Sequence, residues 1–191
     1  MKGVLLNMLL CTAVLFAQAQ YNSYYGQNIG TLKVSAGYTH DFPGLNGYTV
    51  LGEYSHSISD RLEGAFAVKR IQLSGYPRTG DVNEYTKATT IDFTVYFLPV
   101  NTENHILRTG ISYAFSFYNI RRSFPVVQTT GTEKNTTWHI QDKKGREKGF
   151  SVIGEYEYLL PESTFSIGLR AALYKAYDGV FYLGPFAAVK L

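Results

Sequence analysis

Apolar and polar side chains alternate with a period of two through most of this chain. In residues 90–98, Ile91, Phe93, Val95 and Phe97 fall on one face, and Asp92, Thr94 and Tyr96 on the other. That is the period of a β-strand with one greasy and one polar face. The same pattern recurs at 31–40, 48–57, 62–70, 105–118, 149–158, 164–174 and 180–191 and predicts eight strands. Leu32, Val34, Ala36 and Tyr38 share a face in the first; Phe165, Ile167, Leu169, Ala171 and Leu173 share one in the seventh. The opposite faces carry mostly Gly, Ser, Ala and Thr with scattered charges. Leu51 breaks the pattern in the second strand.

The connections add a second regularity. Those after strands two, four and six are tight, at Ser59-Asp60-Arg61, at 99–104 and at Leu160-Pro161-Glu162-Ser163. On the other side, polar loops are predicted over 71–89, with Gly75, Pro77 and Gly80, and over 119–148. The other two connections there are compact, at 41–47 and at Tyr177-Asp178-Gly179. Most strands run about nine to eleven residues, the length a tilted strand needs to cross a bilayer. An even strand count, short turns at one end and longer loops at the other are how transmembrane barrels are built. The expected fold is therefore all-β, an eight-stranded antiparallel up-and-down transmembrane β-barrel. Sidedness follows from bulk. The interior of such a barrel is barely wide enough for its side chains. The small and charged face suits that interior, whereas a lipocalin-like soluble barrel would have to swallow Phe, Leu, Ile and Val from nearly every strand. Tyr38, Tyr48, Tyr54, Tyr156 and Tyr158 lie toward strand ends, where an aromatic girdle is expected.

The first nineteen residues read as an export signal removed from a barrel domain of 20–191. Lys2 is the positive start, 4–16 the apolar run, and Ala17-Gln18-Ala19 the cleavage site. Cys11, the single cysteine, lies inside that run, so no disulfide is expected afterwards. Closure supplies stability instead, since lipid satisfies no backbone N–H or C=O and every strand must pair. Of 18 basic residues only Lys2 leaves with the leader, so 17 face 15 acidic ones, a net charge of +2. Such balance excludes a strong general polyanion binder. No phosphate loop, metal-ligand cluster or nucleic-acid motif is present, and no cofactor is expected.

With its leader, its eight alternating strands and its end Phe186-Ala187-Ala188-Val189-Lys190-Leu191, the chain resembles the small outer-membrane β-barrel family. That family comprises the transmembrane domain of OmpA, the free-standing OmpX type and similar barrels of the Bacteroidetes. The resemblance covers nearly the whole mature chain. It implies the outer membrane of a Gram-negative bacterium, insertion by the barrel-assembly machinery, and contact with outer-membrane lipid and lipopolysaccharide. Family members usually end in an aromatic residue; here the end is Leu191.

Candidate chemistry lies in two places. On the polar face stand Lys33, Glu53, Glu63, Lys69, Asp92, Arg108, Glu155, Glu157, Arg170 and Lys190. Glu53, Arg108, Glu155 and Arg170 fall near mid-height and should pair, because a lone buried charge costs several kcal/mol. A structural plug is expected there, with a gate or narrow ion path as the other reading. The 119–148 loop carries seven bases (Arg121, Arg122, Lys134, Lys143, Lys144, Arg146, Lys148) and three acids (Glu133, Asp142, Glu147), a local +4. Arg121, Arg122, Lys143, Lys144 and Arg146 are candidates for contact with lipopolysaccharide phosphates or an extracellular partner. His40, His56, His105 and His139 lack an evident Ser and acid beside them, so no catalytic residue is assigned. The functions that fit are a structural or adhesive barrel presenting its loops, then a small pore or transporter, then a lipid A-modifying enzyme.

Overall fold

The structure, a computed structural model, describes residues 30–76, 82–130, 133–175 and 179–191, with side chains omitted at 128–130 and 133–135. The export signal, the polar leader up to 29, Pro77, Gly80, Tyr177 and Asp178 lie outside the described residues. Eight strands form one closed antiparallel barrel in sequence order: β1 (Thr31–Asp41), β2 (Asn46–Ser59), β3 (Leu62–Gly75), β4 (Glu84–Asn101), β5 (His105–Thr130), β6 (Glu133–Leu159), β7 (Phe165–Lys175) and β8 (Gly179–Lys190). β1 closes on β8 from Thr31↔Lys190 to Asp41↔Val180.

The apolar face points outward. Phe93, Ile111 and Leu169 are 51%, 69% and 51% exposed, whereas Glu155 and Arg170 are 2% and 1% exposed. Tyr38 and Tyr48 pair directly at one end of the wall and Tyr54 and Tyr156 stand near the other, all exposed. Inside, bulky rings lie flat because glycine leaves the wall bare beside them. A Cβ on Gly110 would sit 2.5 Å from Tyr96, and one on Gly184 equally close to the Tyr182 hydroxyl and 2.6 Å from Gly37 of β1. The seam between β1 and β8 thus closes over two facing glycines.

Two expected loops change. β3 and β4 continue pairing to Gly75↔Glu84, which shortens the expected 71–89 loop to 76–83. Ile71 and Leu73 face inward there and keep the strand half-buried. The expected 119–148 loop is not a loop. β5 and β6 stay paired without a register shift from His105↔Tyr158 to Thr130↔Glu133. Beyond Tyr85↔Arg121 and before Phe150↔Lys175 these two strands have only each other as partners among the described residues. The extension is a free-standing hairpin rich in β-branched and aromatic residues, including Val126, Val127, Thr136, Thr137, Trp138 and Ile140. Pro125 falls on this edge segment, where a missing N–H is tolerated.

Candidate functional site: the lumen and the hairpin end

The inward positions of the lower barrel hold one connected ion network. Lys33 Nζ lies 2.9 Å from Glu155, 3.1 Å from Glu53 and 3.9 Å from Glu63. Arg170 Nη1 donates across the lumen to Glu53 at 2.7 Å and stands 3.0 Å from Glu155. Arg108 donates through Nε to Glu63 at 2.7 Å and through Nη1 to Glu157, but is 3.9 Å from Glu155. The Tyr96 hydroxyl shares its one proton between Glu53 at 2.9 Å and Glu155 at 3.1 Å. Of the four residues expected at mid-height, Glu53, Glu155 and Arg170 therefore meet. Arg108 finds its close partners in Glu63 and Glu157, and Lys33 joins the two groups. Lys69 pairs with Asp92 one layer higher, its ammonium 3.2 Å from the Tyr174 ring centre. Nine of the ten expected interior charges are buried; Lys190, at the short-turn end, is half-buried. These ten, five bases and five acids, neutralise one another. The remaining space is filled by Leu51, Ile153, Tyr96 and Tyr182 and by hydroxyl pairs such as Thr90 with Ser116 at 3.0 Å and Thr39 with Thr49 at 2.8 Å.

The hairpin end is stoppered differently. Leu45, Ile71, Leu73, Ala88, Tyr118 and Ile120 form an apolar cluster within the barrel mouth. Leu45 belongs to the β1–β2 turn, which Gly44 bends back with φ of 109°. Asp41 holds that turn: Oδ1 accepts from Gly44 N at 3.0 Å and Leu45 N at 2.6 Å, and Oδ2 accepts from Arg122 Nη2 at 2.9 Å. Arg122 also donates to Thr86 Oγ1 at 3.0 Å and stands 4.0 Å from Glu84, which accepts from Ser123. Arg122, expected on the outer loop, is instead a buried lumenal residue, because β5 keeps its even-numbered side chains inward past Ile120. Asp41 and Glu84 were missed as site residues. The signal was available: Asp41 continues the odd parity of Lys33, Ser35 and Thr39, and Glu84 the even parity of Asp92 and Thr90.

The other expected cations remain outside. Arg121 grips Asp142 through two bonds of 2.8 and 2.9 Å on the exposed hairpin. That hydrogen bond and charge hold the Asp142 carboxyl below its ordinary range. Lys144 and Arg146 project from the outer wall, Arg146 lying 5.5 Å from the Phe117 ring centre. Lys143 shares the inward parity yet is exposed, 5.7 Å from the Tyr118 ring centre. His40 Nδ1 bonds Asn46 at 2.9 Å and His105 Nδ1 bonds the Tyr156 hydroxyl at 2.8 Å. Neither partner is a carboxylate. His56 and His139 are exposed.

No protein-family model matches the chain, and no curated protein matches it. Among solved structures, OprG from Pseudomonas aeruginosa aligns over 87% of this chain and 99% of that one, at 9% identity and a TM-score of 0.49. Ail, the attachment invasion locus protein of Yersinia pestis, aligns over 85% and 99%, at 12% identity and a TM-score of 0.48. Neisserial surface protein A aligns over 85% and 97%, at 13% identity and a TM-score of 0.55. At such identity this last likeness is one of fold, and with the closed ring of strands and apolar exterior it gives the chain the architecture of a small eight-stranded outer-membrane barrel.

Proposed function

We propose that the chain is an integral outer-membrane protein of a Gram-negative bacterium, exported by its leader, with a sealed lumen and a structural or adhesive role. The apolar exterior and the fold support the location. The sealed lumen supports the role. An interior occupied by ten mutually neutralising charges, and stoppered at one end by Leu45 and the Asp41–Arg122 pair, offers no continuous aqueous path. What it presents instead is the β5–β6 hairpin, with Phe124, Val126, Trp138 and Ile140 exposed on it. Such a surface suits contact with an extracellular protein or a neighbouring surface.

Planar-bilayer recording of the purified protein tests this, with heat-modifiable gel mobility confirming the folded barrel. No unitary conductance is expected from the wild type. Regular open-channel steps would overturn the sealed reading in favour of a small pore. One observation favours that second reading: Asp92 Oδ1, Thr94 Oγ1, Arg170 Nε and the Tyr174 hydroxyl are buried without a hydrogen-bond partner among the described residues. Water threading the interior would satisfy them.

A further inference from the structure

We propose that the free edge of β6 on the hairpin is a self-recognition strand, pairing antiparallel with the same edge of a second copy of this chain in a facing membrane. The proposal deepens the adhesive reading above and rests on the outer-membrane placement. The edge is open: from Glu133 to Gly149, β6 pairs with β5 alone among the described residues. A row of unpaired N–H and C=O groups is a template for another strand, and proteins blunt such rows with proline, bulges or charge. The hairpin's other edge contains Pro125. β6 has no proline, and its ladder to β5 runs without a register shift. Lys143, Lys144, Arg146 and Lys148 guard its lower part. Thr136 to Gln141 carries no Lys, Arg or carboxylate, and Trp138 and Ile140 are exposed there.

The sequence of this edge is complementary to its own reverse. Residues 133–143 read Glu-Lys-Asn-Thr-Thr-Trp-His-Ile-Gln-Asp-Lys. Two such edges paired antiparallel are related by a two-fold axis normal to the ribbon. That axis keeps each face with itself and sets residues of equal parity opposite one another. With Trp138 on the axis, position 133 (Glu) meets 143 (Lys), 134 (Lys) meets 142 (Asp), 135 (Asn) meets 141 (Gln), and Thr136 meets Ile140. Each attraction occurs twice by symmetry, and Trp138 meets its own copy. Opposite charges, β-branched pairs and aromatic pairs are the cross-strand combinations that stabilise a sheet. Asp142, though gripped by Arg121, keeps an exposed flank for this contact. Neighbouring registers lose the match. Centred on His139, position 134 (Lys) faces Lys144; centred on Thr137, positions 133 and 134 face Gln141 and Ile140. The axis also fixes where the second copy stands. Barrels in one bilayer point the same way, so their β6 strands run parallel and this register is closed to them. Barrels in facing membranes point their hairpins at each other, and β6 meets β6 antiparallel. Trp138 lies ten residues beyond Lys148, about 34 Å of strand, which carries the pairing edge clear of the barrel.

The full chain in phosphatidylcholine nanodiscs, one barrel per disc, isolates the facing pair from contacts within one bilayer, and sedimentation velocity counts discs per particle. Wild-type discs should pair in a concentration-dependent way. Lys134→Glu with Lys143→Glu makes the four charged positions 133, 134, 142 and 143 all negative; Glu133→Lys with Asp142→Lys makes them all positive. Each variant alone should pair about tenfold more weakly or worse. An equimolar mixture of the two should regain wild-type pairing, because every like-charge contact becomes an opposite one. Cysteine reads the register: Cys11, the single cysteine, lies in the leader, and facing Cα atoms of antiparallel strands are within disulfide reach. Trp138→Cys should cross-link two discs under mild oxidation. Thr136→Cys, about 14 Å along the strand from its own copy, should not. Wild-type discs that stay single, charge variants that pair as tightly as wild type, a mixture that regains nothing, or equal cross-linking at both positions would overturn the self-pairing. Gel mobility checks that each variant is folded. A wild-type chain that never enters the disc overturns the placement and the pairing together; an inserted barrel whose discs stay single overturns the pairing alone.

Discussion

Lys33 is the residue on which the lumen turns. Its ammonium faces Glu53, Glu155 and Glu63 within 4 Å and has no water to retreat to. Removing one member of a buried ion set leaves the others uncompensated, at about 3–5 kcal/mol. Lys33→Met should lower unfolding stability in lipid vesicles by that much, read as the urea midpoint of the heat-modifiable gel shift. Adding Glu155→Gln should recover a large part, because it removes the surplus negative charge. Equal loss in the single and double variants would show that Lys33 matters for packing alone. The charged residues of the lumen were legible in the sequence, because strand parity assigns each to a face. Their pairings were not. Glu155 stands directly opposite Arg108 and Arg170 in the ladder, yet Arg108 bonds Glu63 and Glu157. Long side chains in a narrow closed cylinder reach across it, and no single-strand pattern encodes which ones meet.

Among the strands, β5 and β6 mark the limit of what alternation reveals. It is readable where lipid demands a greasy outer face, as in 105–118 and 149–158. Past Arg121 the hairpin has water on both sides, the demand lapses, and doublets such as Val126-Val127 and Lys143-Lys144 resemble a loop. The backbone pairs regardless. A two-stranded ribbon adds little stability of its own. Deleting 124–139 and closing Ser123 to Ile140 with an Asn-Gly turn should therefore leave the gel shift intact and the urea midpoint nearly unchanged. On the proposed adhesive role, attachment of cells to a neighbouring surface should fall. A collapse of the barrel would contradict the view that the hairpin is an appendage.

At the scale of the whole molecule, the lumen divides its charge unevenly between the two halves of the chain. β1–β4 supply Lys33 and Lys69 against Asp41, Glu53, Glu63, Glu84 and Asp92; β5–β8 supply Arg108, Arg122, Arg170 and Lys190 against Glu155 and Glu157. Contacts that neutralise the interior, Lys33–Glu155, Arg170–Glu53 and Arg108–Glu63, cross between the halves. Expressed as separate polypeptides, β1–β4 and β5–β8 should each remain extractable from membranes by urea, while the two together resist extraction. Resistance by either half alone would refute this dependence. The closing β1–β8 seam then has a meaning for assembly. A nascent sheet that has not yet joined its first and last strands exposes both backbone edges and unmatched carboxylates to hydrocarbon. Joining Thr31–Asp41 to Gly179–Lys190 is therefore the step that leaves no strand of the ring with an open edge.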